Sequence, residues 1–166
     1  MNAQIMINTE RALIEVDLTA PSTHFDSDTG EEIEGSEPND YDRYGICIVN
    51  CGRTVARIIS YKIWSDCFDK DCSRDKFTKF TEITTHILLG ANKSDVVGNF
   101  DMMNCFADSD WPDVQSAKKR AMLRIDVRYE DVIREQTAGP HQTSVVFMYD
   151  AYREQPERPA QYNEYS

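Results

Sequence analysis

The stretch Tyr44 to Trp64, YGICIVNCGRTVARIISYKIW, leaves few options for how this chain can fold. Ile46, Cys47, Ile48 and Val49 are apolar on both parities of the two-residue strand repeat, which predicts a strand covered on both faces. The run then reaches Asn50-Cys51-Gly52-Arg53-Thr54, reverses, and becomes apolar again. Asn and Gly tolerate positive φ, and a Thr hydroxyl can bond nearby backbone. Asn50, Gly52 and Thr54 are therefore expected to be the structural residues of a tight turn between the two arms of a central hairpin.

The flanking segments extend the same pattern. Ala12, Ile14, Val16 and Leu18 alternate with Arg11, Leu13, Glu15 and Asp17, the signature of a strand buried on one side. Phe80 to Leu89 is rich in β-branched residues and stops at Gly90-Ala91-Asn92-Lys93, so it is expected to be a strand. Ser65 to Lys79 is polar and predicts a connection, and Asp95 to Phe106 a short strand running into a loop. Asp113 to Lys119 predicts a short helix, with an acid near its start and lysines near its end. Ala121 to Tyr129 alternates cleanly and should pair with Thr143 to Tyr152, with Tyr129, Asp131, His141 and Thr143 as structural residues of that hairpin. Arg153 to Ser166 contains Pro156 and Pro159 and reads as a flexible tail. These elements predict an all-β fold: an antiparallel, immunoglobulin-like sandwich of about seven strands over residues 1 to 152, with at most one short helix.

At 166 residues the chain suffices for one core. Its net charge is −11, but Asp26, Asp28, Glu31, Glu32, Glu34, Glu37, Asp40 and Asp42 fall in the loop 21–42, and removing those eight leaves −3. Most of the imbalance thus belongs to one solvated segment. A chain this acidic is unsuited to displacing counterions from phosphates, so no nucleic-acid partner is expected. A duplex-mimicking acidic inhibitor of phage type is one alternative reading of the same charge. No uninterrupted apolar run is long enough to cross a bilayer, and the first residues do not form a secretion signal, so the chain as written is expected to be soluble and cytoplasmic.

Candidate chemistry is sparse. Five cysteines in no repeating spacing argue against a disulfide framework, and Cys47 and Cys51 are expected to serve in packing. Four residues apart on an extended strand, those two could not share a tetrahedral zinc. Asp26, Asp28 and Glu31, with Gly30 between, resemble part of a calcium loop; a calcium- or ligand-sensing domain that uses this acidic loop is an alternative function, and calcium is the one cofactor the sequence suggests. His24, His86 and His141 accompany no Gly-x-Ser-x-Gly elbow and no Gly-rich phosphate loop; a hydrolase using His86 or His141 is a further alternative.

Four motifs together resemble a family. Asn8-Thr9-Glu10-Arg11-Ala12, Asn50-Cys51-Gly52-Arg53-Thr54-Val55-Ala56, Tyr129-Glu130-Asp131 and His141-Gln142-Thr143-Ser144-Val145-Val146-Phe147 occur in this order. They resemble the soluble domain of uncharacterised bacterial proteins in which transmembrane helices precede an immunoglobulin-like β-sandwich. The sequence departs from the pattern at Val55, where Pro is usual, and in its longer acidic loop. The resemblance implies an N-terminal anchor in the inner membrane; a well-specified sheet, no catalytic constellation and charge concentrated in one loop predict a non-catalytic module, on the cytoplasmic side, that binds another protein.

Overall fold

The computed structural model describes residues 11–19, 24–25, 32–33, 43–69, 77–101, 106–132, 139–150, 155–157 and 164–165. In chain order its elements are β1 (Ile14–Thr19), β2 (His24–Phe25), β3 (Glu32–Ile33), β4 (Arg43–Asn50), β5 (Ala56–Asp69), β6 (Phe80–Leu89), β7 (Lys93–Asp101), α1 (Trp111–Gln115), β8 (Lys119–Asp131), β9 (His141–Asp150), β10 (Gln155–Glu157) and β11 (Glu164–Tyr165). The pairings are antiparallel and form two main sheets. One sheet is ordered β1-β4-β7; the other is ordered β10-β9-β8-β5-β6, with β11 also on β9. The fold is an antiparallel all-β sandwich.

The core lies where the alternation of apolar residues places it. Ile14, Val16, Ile46 and Ile48 of the smaller sheet meet Ile58, Leu123, Ile125, Val127, Val145 and Phe147 of the larger one in a single cluster. Leu123 stands opposite Phe147 across the β8–β9 ladder, as the alternation of those strands predicts. Two hydroxyls tie the layers together. Tyr61 donates to Val97 O at 3.0 Å, and Thr143 donates to Ile14 O at 3.0 Å.

Several expectations need correction. The run through Asn50 to Thr54 is a strand, a turn and a strand, but not a hairpin: β4 and β5 belong to different sheets, so the turn is an arch over the core. The side chain of Asn50 explains this, because it bonds to Leu13, Leu89 and Thr54 and carries the chain across the gap rather than back along β4. The polar segment after Trp64 does not leave the sheet at Ser65. β5 continues to Asp69, because β8 begins at Lys119 and pairs with it residue for residue from Ser65–Leu123 to Asp69–Lys119.

The helix is earlier and shorter than expected. Pro112 occupies its first turn, Trp111 and Val114 are its buried pair, and Ala117 at φ 57° ends it before the two lysines. β7 runs from Lys93 to Asp101, so the strand expected from Asp95 starts earlier and is a full one. The tail is not wholly outside the sheet: β10 and β11 both pair with β9. Within the acidic loop, His24–Phe25 and Glu32–Ile33 form a two-stranded ladder.

The larger sheet also carries a register irregularity. Between the Ile58 and Tyr61 levels, β5 advances three residues while β8 advances two and β6 four. Such bulges fan the strands apart and raise their twist.

Candidate functional site

Asn8, Thr9 and Glu10 of the first motif lie outside the described residues; Arg11, Ala12, Asn50, Gly52, Thr54, Asp131 and His141 come together at one end of the sandwich. Asn50 is fully buried at the end of β4. Its Oδ1 accepts from Gly52 N–H at 3.0 Å and from Leu13 N–H at 3.4 Å, while its Nδ2 donates to Thr54 O at 2.7 Å and Leu89 O at 3.0 Å. Its own carbonyl accepts from Asn92 N–H at 2.8 Å, at the β6–β7 turn. One residue thereby joins the segment before β1, the arch after β4, the end of β6 and the β6–β7 turn.

Asp131 supplies the second centre, at the end of β8. Its Oδ1 accepts from Ala12 N–H and from Thr54 Oγ1, both at 2.6 Å, and its Oδ2 lies 3.6 Å from His141 Nε2. The Asp131 side chain is only 7% exposed. The His141 ring lies 5.4 Å from that of Tyr129, the residue it faces across the ladder.

Gly52 completes the clasp. A Cβ there would stand 2.6 Å from Ala12 Cα and closer still to Arg11 O, so the arch lies flat on the backbone of residues 11–13. Cys51 N–H donates to Leu13 O and Arg53 N–H to Arg11 O, which seals the contact. The hydrogen-bonding groups of Asn50, Thr54, Asp131 and Thr143 are thus spent on backbone and on one another. Buried polar groups satisfied in this way hold a fold in one arrangement.

A second polar network, on the outer face of the larger sheet, escaped sequence reasoning. Trp64 Nε1 donates to Asp126 Oδ2 at 2.8 Å, and Arg124 Nε donates to Asp126 Oδ1 at 2.7 Å. Arg124 and Gln142 both reach Ser144 Oγ. Phe80 leans on Trp64 with ring centroids 4.5 Å apart, and Lys62 Nζ sits 5.1 Å from the Phe80 ring and 3.4 Å from Glu82. The only sequence signal for this face is parity: Arg124 and Asp126 fall on the polar positions of β8, opposite Trp64 and Lys62 of β5.

Asp26, Asp28 and Glu31, the calcium expectation, lie outside the described residues, as do Cys72 and Cys105. Among the described residues no three His, Cys, Asp or Glu side chains gather as a metal site. Cys47 is half-buried, but Cys51 is exposed on the arch and does not pack, which corrects the expectation for it. Burial pushes the Cys67 thiol up to about 11, with Asp110 adding to the effect; burial raises Cys47 too, and the Cys51 thiol is raised by the partial cover of its sulfur and by Glu15 beside it. Such thiols are poor nucleophiles near neutral pH. His86 is exposed on β6, on the face of the larger sheet turned away from the core.

No helix of the described residues is long and apolar enough to cross a membrane. Comparison with known protein families, with curated proteins and with solved structures returned no match.

Proposed function

We propose that this chain is a non-catalytic β-sandwich module that acts by binding another protein, and that its docking surface is the β6 margin of the larger sheet with the adjoining Trp64–Phe80 pair. One observation carries this reading. Phe80 is 52% exposed and Leu88 63% exposed, at the two ends of a strand whose outward side chains otherwise face water. Large apolar side chains held at a sheet margin beside fixed polar groups are the usual ingredients of a protein contact. The motif residues support the reading from the other side, because Asn50, Thr54, Asp131 and Thr143 are engaged in holding the sandwich together. The immunoglobulin-like description, the cytoplasmic placement and the bacterial membrane anchor implied by the four motifs belong to this same proposal. A hydrophobic helix encoded directly upstream would support the anchor.

Site-specific photo-crosslinking in cells tests the surface. A photoreactive residue placed at Phe80 or Leu88 is expected to give protein adducts. The same residue at Val96 on β7 or at Val132 just after β8, also exposed but off β6, is expected to give none. Adducts that are absent at positions 80 and 88, or equally abundant at all four, contradict the proposal.

A further inference from the structure

β6 ends the strand order β10-β9-β8-β5-β6, and Phe80 through Thr84, His86 and Leu88 are all exposed. Edge strands are commonly protected from further pairing by lysines or prolines, yet FTEITTHILL contains no Lys, Arg or Pro. The backbone direction is fixed by its first bond. Ser65 N–H donates to Lys79 O, continuing the register in which Trp64 faces Phe80. Because bonded and non-bonded pairs alternate in an antiparallel ladder, the N–H and C=O groups of Phe80, Glu82 and Thr84 turn away from β5, toward the open side.

We propose that two copies of this chain join through this edge, β6 against β6, antiparallel about a two-fold axis at Thr84. This deepens the protein-binding reading and rests on it, naming the partner as a second copy. The register follows from the side chains. Centred on Thr84, the pairing sets Glu82 opposite the second copy's His86 and Phe80 opposite its Leu88, so that opposite-polarity groups meet and the two exposed apolar residues cover each other. A centre at Glu82 would oppose that carboxylate with itself, which is destabilising in a ladder. A centre at Ile83 would face Phe80 with His86 and leave Leu88 uncovered. Phe80, Glu82, Thr84, His86 and Leu88 share the outer face, as their pairing with Trp64, Lys62, Ser60 and Arg57 shows at both ends. The bulge between the Thr84 and Ile87 pairings raises local twist without changing that parity. The outer faces of two sandwiches then form one continuous surface, with the Trp64–Phe80 pairs near its middle.

Analytical ultracentrifugation over a range of concentrations tests the proposal on the full chain. The mass is expected to rise from 19.1 kDa toward twice that value. Thr84→Pro removes an N–H turned to solvent in the monomer, so at a dilution where the parent is monomeric its melting temperature matches the parent's, while the heavier species is absent at every concentration. His86→Glu alone places two carboxylates across the axis and is expected to raise the dissociation constant about tenfold, whereas Glu82→Lys alone removes the carboxylate that meets the imidazole and is expected to weaken the dimer less. The double variant, Glu82→Lys with His86→Glu, restores opposite charges and recovers the dimer. A mass of 19.1 kDa at every concentration overturns the proposal. A dimer that survives Thr84→Pro, or a double variant no better than the single ones, also overturns it. If the chain stays monomeric while crosslinks at Phe80 and Leu88 carry a different protein, the second copy is excluded and the protein-binding reading stands.

Discussion

Replacing Asn50 by Ala is expected to destabilise the fold by about 4 kcal/mol, lowering the melting temperature by roughly 10 °C. The side chain makes four hydrogen bonds from a fully buried position, and its loss strands two N–H donors and two carbonyl acceptors where water does not reach. Asn50→Asp is the sharper variant. It keeps the acceptor for Gly52 and Leu13 but sets a carboxylate oxygen against the carbonyls of Thr54 and Leu89, at the positions now 2.7 and 3.0 Å from Nδ2. At neutral pH an unpaired buried charge costs at least as much as the cavity, so Asn50→Asp is expected to be no more stable than Asn50→Ala. Urea denaturation with an unchanged m-value measures both. An aspartate variant near the parent's stability would show that the amide's two donor bonds do not matter.

Gly52→Ala is the second large effect, at about 3 kcal/mol or more. The atoms a methyl group would meet belong to the backbone of residues 11–13, which cannot swing aside as a side-chain tip can. That segment is itself held by Asn50 and Asp131, so relief of the clash must loosen the clasp. Gly139→Ala is the control, since nothing lies within 4 Å of the position its Cβ would occupy. Its stability is expected to match the parent's or to rise slightly through a less flexible unfolded chain. Comparable losses from both substitutions would mean that the close approach at Gly52 is not what matters.

The fold class was legible because a period of two is visible without tertiary information. Ile14, Val16, Leu123, Ile125, Val127, Val145 and Phe147 declare their faces by alternation, and they fill the core. The Asn50–Thr54 reversal was visible as turn chemistry, yet its destination was not. Asn-x-Gly suits a hairpin and an arch equally, and the choice is made by partners far along the chain, Leu13 and Leu89. For the same reason the polar end of β5 read as a connection: Ser65 to Asp69 become strand by pairing with residues 119–123, which sequence patterning treats as a separate matter.

The motifs named the clasp residues, and contacts spanning up to 129 positions in sequence reveal what they hold. His141 was placed beside Asp131 as a hairpin residue, and its ring does pack on Tyr129 with its Nε2 facing the carboxylate. The Trp64–Asp126–Arg124 network left no comparable trace, because an acid and a base two residues apart on the polar side of a strand read as ordinary solvated charge. The β6 surface was hidden for another reason. Phe80 and Leu88 occupy positions that in most strands would be covered, and exposure depends on which strand ends the sheet.

Asn50, Gly52, Thr54 and Asp131 act together as a clasp that fastens residues 11–13 to the arch after β4 and closes one end of the sandwich. Native-state hydrogen exchange of the Ala12, Leu13, Cys51 and Gly52 amides, compared between the parent and Asp131→Ala, tests it most directly. Each of these N–H groups has a partner within the clasp. Strong protection of all four is expected in the parent and a common loss in the variant, including at Cys51 and Gly52, which Asp131 does not touch. Fast exchange in the parent, or a loss confined to Ala12, would contradict it.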